Sequence, residues 1–190
     1  MKQVKILFLL LAVLLAGASC GSDDDDKVSY KNADLEGLWV ANGWGSAISV
    51  GDSQISTLIK NSIEDMFGTE PTQIDGKYIA YYFDGDESGV QGVSSTSGLL
   101  DEHGRTNITY NVTKNILAIN DGSETELIPI KLYNENIQMS FTFDLTKTYQ
   151  DKQFMQELLN EAGLTHIDVN TIKVKEVKCH LSFLKVAAGT

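Results

Sequence analysis

The chain has 190 residues, 42% of them hydrophobic and 22% charged, which suits one ordinary folded domain and excludes a disordered chain. Its net charge is −11, from 26 acids against 15 bases, and its only arginine is Arg105, which excludes recognition of nucleic-acid phosphates by clustered Lys and Arg. Two cysteines rule out a disulfide-rich scaffold.

Lys2 and Lys5 make a positive start, and Ile6 to Ala16 form an unbroken apolar run. That run is shorter than the roughly 20 residues a membrane helix needs and has the length of a signal-peptide core. Small residues Gly17, Ala18 and Ser19 then lead to Cys20. This pattern resembles the lipobox of bacterial lipoprotein precursors, with Gly17 where that family usually has an aliphatic residue. The resemblance implies a signal peptide over residues 1–19, cleavage before Cys20, and acylation of Cys20. Asp23 to Asp26 follow directly, and an acidic run there resembles the surface-export signal of Bacteroidetes lipoproteins. The expected location is the outer membrane, lipid-anchored and facing outward. Residues 20–33 read as the acylated cysteine and a solvated acidic tether, and 34–190 as one domain.

Leu38–Asn42 reads as the first strand. In Asp52–Phe67 the apolar residues Ile55, Leu58, Ile59, Ile63, Met66 and Phe67 form one helical stripe, with Asp52 as N-cap and Gly68 as the residue past the end. Strands are expected at Lys77–Phe83, Gln91–Leu99, Thr106–Val112, Ile116–Asn120, Glu124–Tyr133 and Ile137–Leu145. Short turns such as Thr113-Lys114-Asn115, Asp121-Gly122 and Asn134-Glu135-Asn136 separate several of them. A second amphipathic helix is expected over Thr148–Ala162, closed by Gly163. In the last strand, Ile172–Val186, the apolar parity switches near Glu176, which predicts a bulge or bend. Cys179 falls on an apolar face and reads as a buried, inert thiol. About eight consecutive antiparallel strands predict a mainly β fold. An up-and-down β-barrel removes both sheet edges, and a β-sandwich fits the spacing almost as well.

Gly37-Leu38-Trp39 at the start of the first strand resembles the Gly-x-Trp signature of the lipocalin (calycin) superfamily. Phe83-Asp84-Gly85-Asp86, Thr109-Tyr110-Asn111-Val112 and Ile116-Leu117-Ala118-Ile119 are similar to the lipocalin-like domains of Bacteroidetes lipoproteins. The resemblance implies a barrel with Trp39 closing one end. That family often stacks a late-strand arginine on the Trp. Arg105 lies too early for that, so Lys185 is at best its substitute. A helix between the first two strands resembles the lid of fatty-acid-binding proteins, whereas a helix before the last strand is typical of neither family.

Tyr81 and Phe83 share one parity of their strand, and Tyr78 and Tyr82 the other. Trp39, Tyr81 and Phe83 are the candidate ligand-binding residues, because aromatic rings suit an apolar or sugar ligand. Asp84-Gly85-Asp86-Glu87-Ser88-Gly89 matches the start of a calcium loop, but its twelfth position is Ser95 and strands flank it, so an acidic turn is expected. His103, His166 and His180 lack metal-ligand spacing, and Cys179 and His180 point to opposite faces. No metal, cofactor or catalytic motif is expected, and so no enzyme. The expected function is non-catalytic binding of a small apolar or carbohydrate ligand by a membrane-anchored protein. The alternative is a structural or adhesion subunit that meets a surface protein partner.

Overall fold

A computed structural model describes residues 29–67, 73–74, 76–95 and 99–186. The span read as a signal peptide, Cys20, the acidic run and Gly68 lie outside the described residues. In chain order the elements are α1 (Asn32–Leu35), β1 (Gly37–Val50), α2 (Ser53–Phe67), β2 (Gln73–Ile74), β3 (Lys77–Phe83), β4 (Ser88–Ser95) and β5 (Leu99–Leu100). There follow β6 (Thr106–Thr113), β7 (Ile116–Asn120), β8 (Thr125–Tyr133), β9 (Gln138–Asp144), α3 (Thr146–Gln150), α4 (Lys152–Glu161) and β10 (Val174–Val186).

Eight strands pair antiparallel in chain order, β1, β3, β4, β6, β7, β8, β9 and β10, and β10 returns to pair with β1. The ring is closed, so the fold is an up-and-down barrel and not a sandwich. β2 and β5 are two-residue additions beside β3 and β4.

β1 runs to Val50, well past the expected end at Asn42. Gly43, Gly45, Ser46 and Ser49 carry little intrinsic strand preference, but β10 offers a partner along the whole length, from Leu38↔Val186 to Val50↔Val174. The register skips from Ala41↔Phe183 to Gly43↔Ser182, so Asn42 is a bulge residue. The bulge moves the inward parity of β1 from Trp39 and Ala41 to Trp44 and Ile48. The irregularity expected near Glu176 is present: Ser49 pairs with Glu176 and Val50 with Val174, leaving Lys175 extra. β4 begins at Ser88 and ends at Ser95, with Leu99–Leu100 a separate strand, where sequence reading placed one strand over Gln91–Leu99. The turn before β4 is tighter than its acidity suggested. Asp84 Oδ1 accepts hydrogen bonds from the amides of Asp86 (2.8 Å) and Ser88 (3.1 Å), and Gly85 takes φ +90°.

Strand alternation builds the interior. Ile108, Tyr110 and Val112 of β6, Leu117 and Ile119 of β7, Ile128, Ile130 and Leu132 of β8, Met139 and Phe141 of β9, and Leu181 and Phe183 of β10 are all buried in one cluster with Trp39, Tyr81 and Phe83. A second cluster joins Ile55, Ile59 and Ile63 of α2, Tyr149 of α3, and Met155 and Leu159 of α4 to Val174, Val177 and Cys179. The inward stripe of β10 passes from one cluster to the other, so the helices cover the barrel end where β1 stops and β10 starts. Cys179 is fully buried there, and burial pushes its thiol up to about 12.

Asp52 caps α2 as expected, accepting from the amides of Gln54 (2.7 Å) and Ile55 (3.1 Å). The single helix expected over Thr148–Ala162 is two, α3 and α4. Asp151 breaks it: its backbone is extended, and its side chain accepts from the Phe154 amide (2.8 Å) to start α4 afresh. Gly163 ends α4 at φ +71°, with its amide bonded to Asn160 and the Leu164 amide to Leu159.

The other barrel end is closed by the chain that leads into β1. Tyr30 donates its amide to the Lys114 carbonyl (2.7 Å), and its hydroxyl accepts from the Leu132 amide (3.0 Å). Asn32 Oδ1 accepts from the Val112 amide (2.7 Å), and Leu35 is fully buried. The docked chain thus begins at Tyr30, a few residues inside the span read as tether.

Candidate functional site

Trp39 and Phe83 lie in the closed half of the barrel. Trp39 is fully buried, and its indole Nε1–H donates to the Leu35 carbonyl (2.6 Å). Lys185, directly opposite on β10, sets its ammonium 5.4 Å from the Trp39 ring centroid. Gly37 makes room for this: its φ is +122°, and a Cβ there would sit 2.8 Å from Lys185 Cε. Phe83 is fully buried, with its ring centroid 4.6 Å from that of Tyr110. Both residues therefore act through packing. Cys20 lies outside the described residues.

Tyr81 belongs to the same aromatic group, 5.4 Å from Phe141 and 5.7 Å from Phe183 between centroids. It is 9% exposed, and its hydroxyl has no hydrogen-bond partner among the described residues. Gln91 pairs with it across β3 and β4, so both face inward, and among the described residues the Gln91 side-chain amide has no partner either. The third polar group is Glu126. It pairs with the buried Ile119 and opens the inward row Glu126, Ile128, Ile130, Leu132. Among the described residues no cation answers its carboxylate. Burial of the Tyr81 ring, and after it the charge of Glu126, raise the Tyr81 hydroxyl above its ordinary pKa.

Tyr81 and Gln91 are cross-strand neighbours next to the inward pair Ile79 and Val93, and Glu126, opposite Ile119, acts electrostatically on Tyr81. Burial first, and then the neighbouring charges of Glu124 and Asp121, push the Glu126 carboxyl from 4.5 up to about 7. Among the described residues no group of three His, Cys, Asp or Glu is placed to hold a metal ion. The chemistry available is a carboxylate, a hydroxyl and an amide at the edge of an apolar barrel. That set suits an organic ammonium with an apolar body. Gln91 and Glu126 were not singled out from sequence. Their signal was available only by extending strand parity, which sets Glu126 in step with Ile128, Ile130 and Leu132.

The Asp84–Gly89 segment serves as a turn. Besides Asp84's own backbone bonds, the Gly85 amide donates to the Tyr110 hydroxyl (3.0 Å). Cys179 faces inward and His180 outward, as strand geometry requires.

Glu126 makes stability depend on pH. A folded-state pKa above the unfolded one means that the folded protein holds this proton more tightly between about pH 4.5 and 7. Stability is therefore lost as pH rises through that window. Glu126→Gln should remove this dependence and stabilise the fold at pH 8 by on the order of 1–2 kcal/mol, allowing for the screening of a partly exposed group. At pH 4 it should change nothing. Urea melts at the two pH values check this, and equal effects at both would contradict it.

Compared with protein-family models, curated proteins and solved structures, the chain matches none. Its class is that of a closed, eight-stranded antiparallel barrel with helices over one end.

Proposed function

We propose that this is a lipid-anchored, lipocalin-like lipoprotein of the Bacteroidetes-type cell envelope that binds a small ligand without catalysis. The ligand is held inside the barrel toward its helix-covered end, its apolar body toward Ile79 and Ile119 and a cationic head on Glu126. The observation that supports this most is the pairing of inward Tyr81 with Gln91 and the electrostatic coupling of Tyr81 to inward Glu126, three polar side chains without hydrogen-bond or ion-pair partners among the described residues. An unpaired buried hydroxyl costs roughly 1–3 kcal/mol, a cost that a bound ligand offsets.

The anchor reading is supported by residues 1–27 and is compatible with the fold. Tyr30 docks at the Trp39 end, beside the last residues of β8, whereas Glu126 lies at the first residues of the same strand. From Cys20 to Ser29 the chain can reach at most about 30 Å, so the Trp39 end stays near the membrane and the Glu126 end faces outward.

Calorimetric titration below micelle concentration tests the ligand reading. Octylammonium should bind at pH 8 at least about tenfold more tightly than octanol, and octanoate more weakly still. Glu126→Gln should erase the preference for the amine. Equal affinity for octylammonium and octanol in the unmodified protein would refute the assignment.

A further inference from the structure

The outer wall carries a concavity. A cavity of about 430 Å³ is lined mainly by polar residues, Asn42, Tyr133, Gln138, Ser140, His180 and Ser182, with Met139 and Phe183 beneath them. That volume lies within the roughly 300–1,000 Å³ common for small-molecule sites.

Its shape follows from side-chain size across three strands. Gly43 of β1 pairs with Ser182 of β10, which pairs with Ser140 of β9. This row of small residues is the floor. Taller side chains stand around it. His180 rises on one side, Gln138 and its pair Tyr133 on the other, and Asn42 is added by the bulge in β1. All these residues alternate with inward ones such as Met139, Phe141, Leu181 and Phe183, so the cavity faces solvent and not the core.

The floor is polar and unsatisfied. Ser140 is only 9% exposed, yet among the described residues its hydroxyl has no hydrogen-bond partner, and neither has the side chain of Ser182 or Asn42. Buried hydroxyls are normally paired. Gln138 accepts from the Asn134 amide (2.6 Å), and the Thr142 hydroxyl lies 3.0 Å from Nδ1 of His180, which leaves Nε2 of that ring unengaged. No Lys, Arg, Asp or Glu lines the cavity. Burial, and then the charge of Lys178, lower the pKa of His180 and favour its neutral form. Tyr133 stands at the rim, 44% exposed, with the Lys131 ammonium over one face of its ring, 5.6 Å from the centroid.

We propose that this groove binds a neutral oligosaccharide, with the hydroxyl and amide groups of Ser140, Ser182, Asn42 and Gln138 meeting sugar hydroxyls and the Tyr133 ring covering an apolar sugar face. Hydroxyl-rich ligands supply donors and acceptors together, which matches a lining of Ser, Asn, Gln and neutral His. The lining residues carry no formal charge, and the nearest cation is Lys131, opposite Ser140 with its ammonium 5.6 Å from the Tyr133 ring centroid, so a neutral ligand meets the lining without desolvating a charge of its own.

The test is calorimetric titration of the protein with cellotetraose, maltotetraose, mannotetraose and chitotetraose. At least one should bind with a Kd of about 1 mM or tighter. Ser182→Leu, which fills the floor, and Tyr133→Ala, at an exposed position, should each weaken that binding at least about tenfold. Glu126→Gln should leave it unchanged, which separates this site from the one inside the barrel. Absence of binding to all four sugars overturns the proposal. So does undiminished binding by both groove variants.

Discussion

Replacing Trp39 with Ala should lower the folding stability by about 3–5 kcal/mol. Three separate losses combine. The ring is fully buried in the barrel cluster, so its removal leaves a cavity among side chains held by closed strands that cannot collapse freely. The Leu35 carbonyl loses the indole donor that satisfies it at 2.6 Å. Lys185 loses the ring beneath its ammonium. Trp39→Phe divides these losses, because it keeps most of the packing and removes the N–H. It should cost roughly 1–3 kcal/mol, mainly for the unsatisfied carbonyl. Urea unfolding of the mature domain measures both. The midpoint should fall with little change in slope, since the surface exposed on unfolding is nearly the same. A Trp39→Ala loss below about 1 kcal/mol would show that this end of the barrel is not held by Trp39.

Replacing Cys20 with Ala should have the largest effect on location: the protein should move from the membrane fraction to the soluble one. Each buried methylene of an acyl chain contributes about 0.8 kcal/mol, and one chain alone holds a protein only marginally, whereas two suffice for stable anchoring. Among the described residues no helix is long and apolar enough to cross a membrane. Fractionation followed by immunoblotting checks the outcome, with incorporation of labelled palmitate as a second readout. Retention of unlabelled Cys20→Ala protein in the membrane fraction would refute the anchor.

Much of the barrel wall was legible in the sequence. Lys77–Phe83 and Ile116–Asn120 have the expected ends, and the alternation Met139, Phe141, Phe143 against Ser140 and Thr142 correctly assigned the inner face. Glycines and serines hid the second half of β1, because their own preference for strand is weak. Asp151 hid the break between α3 and α4, because the apolar stripe continues across it. The candidate sites were less legible. Trp39, Tyr81 and Phe83 were chosen as aromatics. Chemistry distinguishes them poorly, since an aromatic ring serves a core as well as a ligand. Only Tyr81 sits beside other unpartnered polar groups. Glu126, Gln91, Ser140 and Ser182 are ordinary strand residues until their neighbours are known.

Sequence alone determined the local matters: which residues alternate, where Asp52 starts a helix, where Gly163 stops one, and that β10 must be irregular near Glu176. These depend on dihedral preference and on periods of 2 and 3.6, which act over a few residues. Only the tertiary structure decided that β1 and β10 close the ring, that Lys185 covers Trp39, and that Gly43, Ser182 and Ser140 line up as a floor. Those facts join residues more than 40 positions apart. Register, bulges and helix packing over the whole barrel set them, and no local pattern contains that information.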